Sequence, residues 1–234
     1  MVIYRMTKRL LELFCGTKSV GKVFEKEGYE VTSLDFNPKF NATFTEDILT
    51  WDYKQFVPDH FNVIWASPDC TTFSLASGGK YRLKKEIYGR DNGNLEKSIQ
   101  ANNMILRVIE ILEYFKCTAW FIENPRGLLI HFPPMKDFIQ KQNANVTLVY
   151  YANYNDWGFP KPTHIWCNLK LWENETMPEM DSSKYVVRFK KYDNRNKKFF
   201  KAFSFGDTES RSKIPPDLVT RLMGLISVPT IHPI

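Results

Sequence analysis

Hydrophobic positions along the chain follow two rhythms. Short stretches rich in apolar and β-forming residues at 9–14, 30–35, 61–66, 119–123, 145–151 and 164–168 read as strands of a sheet. Between them, 19–27, 95–115 and 135–142 space their apolar residues at helical intervals. In 95–115 these are Ile99, Met104, Val108, Ile111, Leu112 and Phe115, one face of an amphipathic helix. Strands alternating with helices predict the α/β class: a mostly parallel, twisted, Rossmann-like sheet with helices on both faces. There are no repeats or low-complexity tracts, and no apolar run approaches the ~18–20 residues of a membrane span. The opening MVIYRMTKRLLELFCG is basic then apolar, but it continues into a strand–turn–helix pattern and reads as fold, not as a signal peptide.

Two segments follow neither rhythm. Residues 71–94 are long, basic and glycine-bearing (Gly78, Gly79, Lys80, Arg82, Lys84, Lys85), as a functional lid would be. Residues 184–201 carry eight Lys or Arg against one acid, with Tyr185, Phe189, Tyr192, Phe199 and Phe200 interleaved. Basic residues among aromatics suit a nucleic-acid surface, and a small β-hairpin with a charged outer face accounts for them equally well.

The chemistry concentrates where strands end. FNVIWASPDCTTFS (61–74) carries an apolar run into Cys70, placing a thiol at the carboxyl edge of the sheet. TAWFIENPRG (118–127) does the same for Glu123 and Asn124. A cysteine and a glutamate at neighbouring strand ends make a nucleophile and an acid, and suggest covalent catalysis. At the N-terminal end, LLELFCGTKSVG follows a strand and opens a helix, so Gly16 permits a tight turn. Asp35, at the end of the next strand, is placed to accept hydrogen bonds from ribose hydroxyls, and Asp47 to meet an adenine amine. The ordered set describes a nucleoside-bearing cofactor. The same residues nearly match a phosphate-binding G-x-x-x-x-G-K loop, but Val23 stands where that loop needs Ser or Thr for magnesium.

Composition changes the picture modestly. A chain of 234 residues with 43% hydrophobic content suits one domain with a small appendage. A net charge of +6 and pI near 9.0 favour a polyanionic partner, although a solvated basic surface gives the same numbers. Cys15, Cys70, Cys117 and Cys167 are widely spaced with no C-x-x-C, which argues against a disulfide framework or metal site and fits a reducing, cytoplasmic compartment. Cys15, Cys117 and Cys167 read as packing thiols.

Taken in order, these motifs resemble the cytosine-C5 DNA methyltransferase family over roughly residues 9–168. ELFCGTKSVG is similar to its D-L-F-x-G-x-G-G cofactor loop, SPDCTTFS to P-P-C-Q-x-F-S, ENPRG to E-N-V, and GFPKPTHIWCN to G-x-P-Q-x-R. The resemblance implies an S-adenosylmethionine-dependent methyltransferase fold. It implies that Phe14, Cys15, Gly16, Thr17, Asp35, Phe36, Asp47, Ile48, Ser67 and Pro68 hold S-adenosylmethionine. Cys70 would add to C6 of a flipped-out cytosine, with Glu123 as the acid and Asn124 orienting the glutamate or supporting the lid. Ser74, Arg82, Arg126, Lys161, Thr163 and His164 would meet the nucleic acid near the base. Arg188, Lys190, Lys191, Arg195, Lys197 and Lys198 would meet it in the basic segment.

The chain departs from the family pattern in several places. Pro68-Asp69 replaces Pro-Pro, Thr71 replaces Gln, and the Gln and Arg of the later motif are gone, leaving Lys161, Thr163 and His164. Asp69 opposes ionisation of Cys70 unless it points away, and the basic lid would favour it. The expected division is a catalytic domain 1–168, a small target-recognition region 169–213 and a segment 214–234 returning to the catalytic domain. So small a recognition region suits a compact viral or phage-like form. The expected product is 5-methylcytosine in duplex DNA, made by a monomer. RNA as the substrate, or an idle nucleic-acid-binding protein on the same fold, remain the competing readings.

Overall fold

The computed structural model describes residues 7–74, 95–155, 160–179, 187–193, 198–203 and 212–226. Strands β1 (Arg9–Leu13), β2 (Glu30–Leu34), β3 (Val63–Ala66), β4 (Ala119–Pro125), β5 (Asn145–Tyr150) and β6 (Pro162–Cys167) form one sheet in the order β2-β1-β3-β4-β6-β5. The pairings β1–β2, β1–β3 and β3–β4 are parallel, whereas β6 runs antiparallel to both β4 and β5. The reversal has a simple cause. Only eleven residues, 151–161, join β5 to β6, and a parallel crossover needs about a dozen residues or more.

Alternation along the strands divides the core between two faces. Leu11, Leu13, Ile64, Trp120, Ile122 and Trp166 pack on one face against α2 (Leu95–Tyr114) and α3 (Pro133–Lys141). Leu10, Val63, Trp65, Phe121 and Ile165 pack on the other against α1 (Gly21–Lys26) and α4 (Pro216–Met223). Burying one such Phe or Leu contributes roughly 1.5–3 kcal/mol, so both helical layers are firmly held. Helix α4 was not among the expected elements. Its signals are Pro216 at the first helical position and Leu218, Val219 and Leu222 on one buried stripe. Two further strands, β7 (Val187–Asp193) and β8 (Lys198–Phe203), pair antiparallel as a separate two-stranded sheet, so the basic segment contains the hairpin that its residues allowed.

Residues 169–175 do not leave the sheet at once. Leu169, Leu171 and Trp172 pack against the second core, and Glu175 N–H donates to Leu148 O of edge strand β5 at 2.8 Å. The Glu175 carboxylate gathers Tyr150 N–H, Asn153, Trp172, Tyr154 and Arg221, and the Arg221 guanidinium lies 3.7 Å from the Trp172 ring centre. This knot ties the segment after β6 to α4. Among the described residues, no helix is long and apolar enough to cross a membrane.

Candidate active site

The chain leaves β1 through a left-handed turn: Phe14 has φ +58°, Gly16 +46° and Lys18 +56°. Such backbone in Phe and Lys costs on the order of 1–3 kcal/mol each and is concentrated at functional sites. The turn is held from below by Asp35, whose Oδ2 accepts Gly16 N–H at 2.9 Å while Oδ1 accepts Asn37 N–H at 2.9 Å. A carboxylate oxygen has a second lone pair, so neither bond prevents Asp35 from accepting a ligand hydroxyl. Beside it, Phe14, Phe36, Asp47 and Ile48 line a small depression. Phe36 is 74% exposed there, an unusual exposure for an aromatic. Asp47 uses Oδ1 to accept Leu49 N–H at 3.0 Å, and Ile48 is buried. Arg107 on α2 fixes this stretch by donating to Ile48 O at 3.1 Å and Trp51 O at 2.9 Å.

Strand β3 ends in Ser67, Pro68, Asp69 and Cys70, next to the turn after β1. This is the point where the chain, having placed β2 on one side of β1, places β3 on the other, the switch point at which open α/β sheets bind ligands. A cavity of about 440 Å³ opens there, within the range of roughly 300–1,000 Å³ typical of small-molecule sites. Phe14, Cys15, Gly16, Thr17, Ser67 and Pro68 line one part of it, and Cys70, Glu123 and Lys161 another.

Asp69 is tied into the turn that follows it. Its Oδ1 accepts Thr71 N–H at 3.0 Å and the Thr71 hydroxyl at 2.7 Å, capping the turn after Cys70. Ionisation of Cys70 is nevertheless disfavoured in this state. Burial, then the charges of Glu123 and Asp69, push the thiol from 9.0 up to about 11, and Lys161 acts in the opposite direction. Residues 75–94, the basic part of the expected lid with Arg82, lie outside the described residues. Ser74 is described: it bridges to Gly127, and Leu128 N–H donates to Phe73 O at 2.8 Å, so the cysteine loop is docked on the loop after β4.

Glu123 is buried, and its Oε1 accepts the Tyr151 hydroxyl at 2.9 Å. Lys161 Nζ stands 3.9 Å from the same oxygen and 4.4 Å from the Tyr151 ring centre. Asn124, the next residue along the strand, points to the opposite face. Its Nδ2 donates to Pro68 O at 2.9 Å, so it anchors the loop carrying Cys70 instead of orienting Glu123. Thr163 is fully buried and its hydroxyl donates to Lys161 O at 2.9 Å. His164 pairs in register with Asn124 and packs on Trp166; burial, then Arg126 and His131, lower its pKa to about 4. Arg126 N–H donates to Pro162 O at 2.7 Å, which places this residue beside β6. Arg188, Lys190, Lys191 and Lys198 lie on β7 and β8, described here as backbone, and Arg195 and Lys197 fall outside the described residues.

Two site residues escaped the sequence reading. In the sequence Tyr151 marks only the end of an expected strand. Glu12 lies inside the apolar run RLLEL, and an acid there is the kind of anomaly that should have been noticed. It is 2% exposed, lines the cavity and accepts Gly21 N–H at 3.1 Å. Burial raises its pKa to about 8, so it is mostly protonated at neutral pH. Gly21 lets the carboxyl approach closely, since a Cβ there would lie 2.5 Å from Glu12 Oε2.

A sheet of this order, with a strained turn after β1 and a thiol and a carboxyl in one cavity at its switch point, is that of a Rossmann-like methyltransferase. Comparison with known proteins agrees. No protein-family model matches the chain. Over 188 residues it is 30% identical to a probable DNA (cytosine-5)-methyltransferase of Frog virus 3 (isolate Goorha), covering 77% of this chain and 79% of the viral protein. The fold is similar to that of the methyltransferase EhMeth of Entamoeba histolytica, with TM-score 0.50, 15% identity, and coverage of 76% of this chain and 58% of EhMeth. The Dnmt2 methyltransferase of S. pombe gives TM-score 0.47 and 16% identity, with 77% and 62% covered. The chain thus spans less than two thirds of either solved structure. The viral relative identifies the chain as a member of the cytosine-C5 DNA methyltransferase family.

Proposed function

We propose that this protein is a DNA (cytosine-5)-methyltransferase that uses S-adenosylmethionine and forms a covalent adduct through Cys70. The observation carrying this reading is that Cys70 and Glu123 share one cavity with the turn after β1. The viral relative, described as acting on DNA, supports DNA as the substrate. The residues present suit the cofactor. Gly16 leaves open space where a side chain would stand, Asp35 retains lone pairs for ribose hydroxyls, and exposed Phe36 with Ile48 offers an apolar surface for a purine. S-adenosylmethionine, when bound, supplies a methyl group on a sulfonium centre.

The chain's own residues perform the remaining steps. Cytosine C5 is a weak nucleophile until Cys70, having lost its thiol proton to solvent, bonds as the thiolate through Sγ to C6. As that bond forms, Glu123 gives a proton to N3, so no full negative charge develops on the ring and C5 becomes enamine-like. After C5 has taken the methyl group, loss of the C5 proton to a base, departure of Cys70 from C6 as a thiolate and return of the N3 proton to Glu123 leave 5-methylcytosine. The target atom is inside the duplex, so the base is flipped out first at a few kcal/mol.

Incubation with S-adenosylmethionine and mixed-sequence duplex DNA, or RNA, followed by nucleoside mass spectrometry, tests the reading. Wild type is expected to produce 5-methyldeoxycytidine and Cys70→Ala none, whereas Glu123→Gln slows turnover by roughly 10²–10⁴-fold. Methylation confined to RNA would move the substrate class, and undiminished turnover by Cys70→Ala would remove the covalent mechanism.

A further inference from the structure

The carboxyl of Glu123 is not addressed symmetrically. Its Oε1 accepts the Tyr151 hydroxyl at 2.9 Å, and the Lys161 ammonium approaches that same Oε1 at 3.9 Å. Tyr151 is fully buried, with its hydroxyl also beside that of Thr163, and Lys161 lies over the Tyr151 ring. Both Lys161 and Glu123 side chains are largely enclosed, at 13% and 7% exposure, so little water competes for the carboxyl. An oxygen that accepts from an O–H and faces an N–H cation cannot readily carry a proton of its own.

We propose that Tyr151, aided by Lys161, is a positioning residue that fixes which oxygen of Glu123 holds the catalytic proton. Oε1 is kept as the acceptor, and the proton of the neutral acid resides on Oε2, the oxygen left to meet N3 of the base. The logic is that of a histidine whose tautomer is set by the partner of its other nitrogen. A lysine above a tyrosine ring supplies the cation beside Glu123, and the tyrosine supplies a directed donor. This inference rests on the reading of Glu123 as the acid that meets the base.

The test is a double-mutant cycle of Tyr151→Phe and Glu123→Gln, using whichever nucleic acid wild type methylates. Steady-state turnover is measured together with deuterium exchange at cytosine C5 in the absence of cofactor, which reports Cys70 addition alone. Tyr151→Phe is expected to lower kcat and C5 exchange together by about tenfold or more, within the range of acid catalysis, with KM for the nucleic acid unchanged. On the Glu123→Gln background it is expected to cost almost nothing further, because the proton it directs is gone. Turnover equal to wild type, or the same loss on top of Glu123→Gln, overturns the inference. Should Tyr151→Phe fail to fold, Lys161→Met, which removes the other group at Oε1, is judged by the same two outcomes, with Lys161→Arg expected to restore turnover. A wild type that methylates no cytosine removes the functional reading and this inference together. A wild type that methylates while the tyrosine variant matches it removes this inference alone.

Discussion

Cys70 is held as a thiol in the free protein. Burial, with Glu123 and Asp69 nearby, takes it from 9.0 up to about 11, and Lys161 only partly offsets them. Because the thiolate is the reactive form, the rate of Cys70 alkylation should climb with pH until about 11. Mass spectrometry of iodoacetamide adducts on the Cys70 peptide checks this, and a plateau near pH 7 would refute it. The linkage follows in the same direction. A group whose pKa is raised on folding stabilises the native state below its unfolded value and loses that contribution as pH rises through the folded value, here between 9 and about 11. Cys70→Ala should therefore unfold less steeply across that window than wild type. The residues that mattered differed in how plainly the sequence marked them. Cys70 and Glu123 stood out because each ends an apolar run. Of the two roles open to Asn124, successive strand residues facing opposite sides favour the one at the cysteine loop, where its Nδ2 donates to Pro68 O. Tyr151 carried no local signal, because its importance comes from the register that sets the end of β5 against β6.

The catalytic loops are positioned by contacts between elements. The turn after Cys70 lies directly on the loop after β4, through the Ser74–Gly127 bridge and the Leu128 N–H bond to Phe73 O. Gly127 makes this approach possible: a Cβ there would lie 2.3 Å from Phe73 O, far inside contact distance, and the obstacle is backbone that cannot rotate aside. Gly127→Ala should thus push the cysteine loop away from β4. The expected result is a loss of turnover of tenfold or more, with a stability cost of about 1–3 kcal/mol typical of overpacking. Turnover with thermal unfolding checks it, and wild-type turnover would mean that the loop is free to shift. The central strands β3 and β4 were legible because each is a buried run of four to seven residues, long enough to show apolar continuity. The antiparallel placement of β6 was not, because strand direction is decided by the length and content of the connection rather than by the strand's own residues. Helix α4 was missed for a related reason: its apolar stripe is only two turns long and becomes recognisable once α1 and the second core stand opposite it.

At the scale of the molecule, charge and architecture are divided along the chain. The described core draws its residues from 10–167 and 214–222, with partly buried Leu169, Leu171 and Trp172 closing one side. The strands β7 and β8 form a sheet of their own between those two parts, in the stretch where eight of the 32 Lys and Arg fall within 184–201. We propose that this stretch carries much of the attraction to nucleic acid, while the sheet-edge cavity carries the chemistry. Each phosphate contact made by a cation releases counterions, so the slope of log K against log salt reports the number of contacts, at about 0.9 per contact on duplex DNA. Replacing 184–201 with a short Gly-Ser turn should therefore weaken binding to duplex DNA and flatten the salt slope by several contacts. Binding of S-adenosylmethionine should be unchanged, because Gly16, Asp35 and Ile48 are held by β1, β2 and Arg107 of α2. Fluorescence anisotropy across a salt series, with cofactor binding measured in parallel, distinguishes the outcomes. An unaltered slope would place the phosphate contacts on another face, and lost cofactor binding would show that the hairpin supports the fold itself.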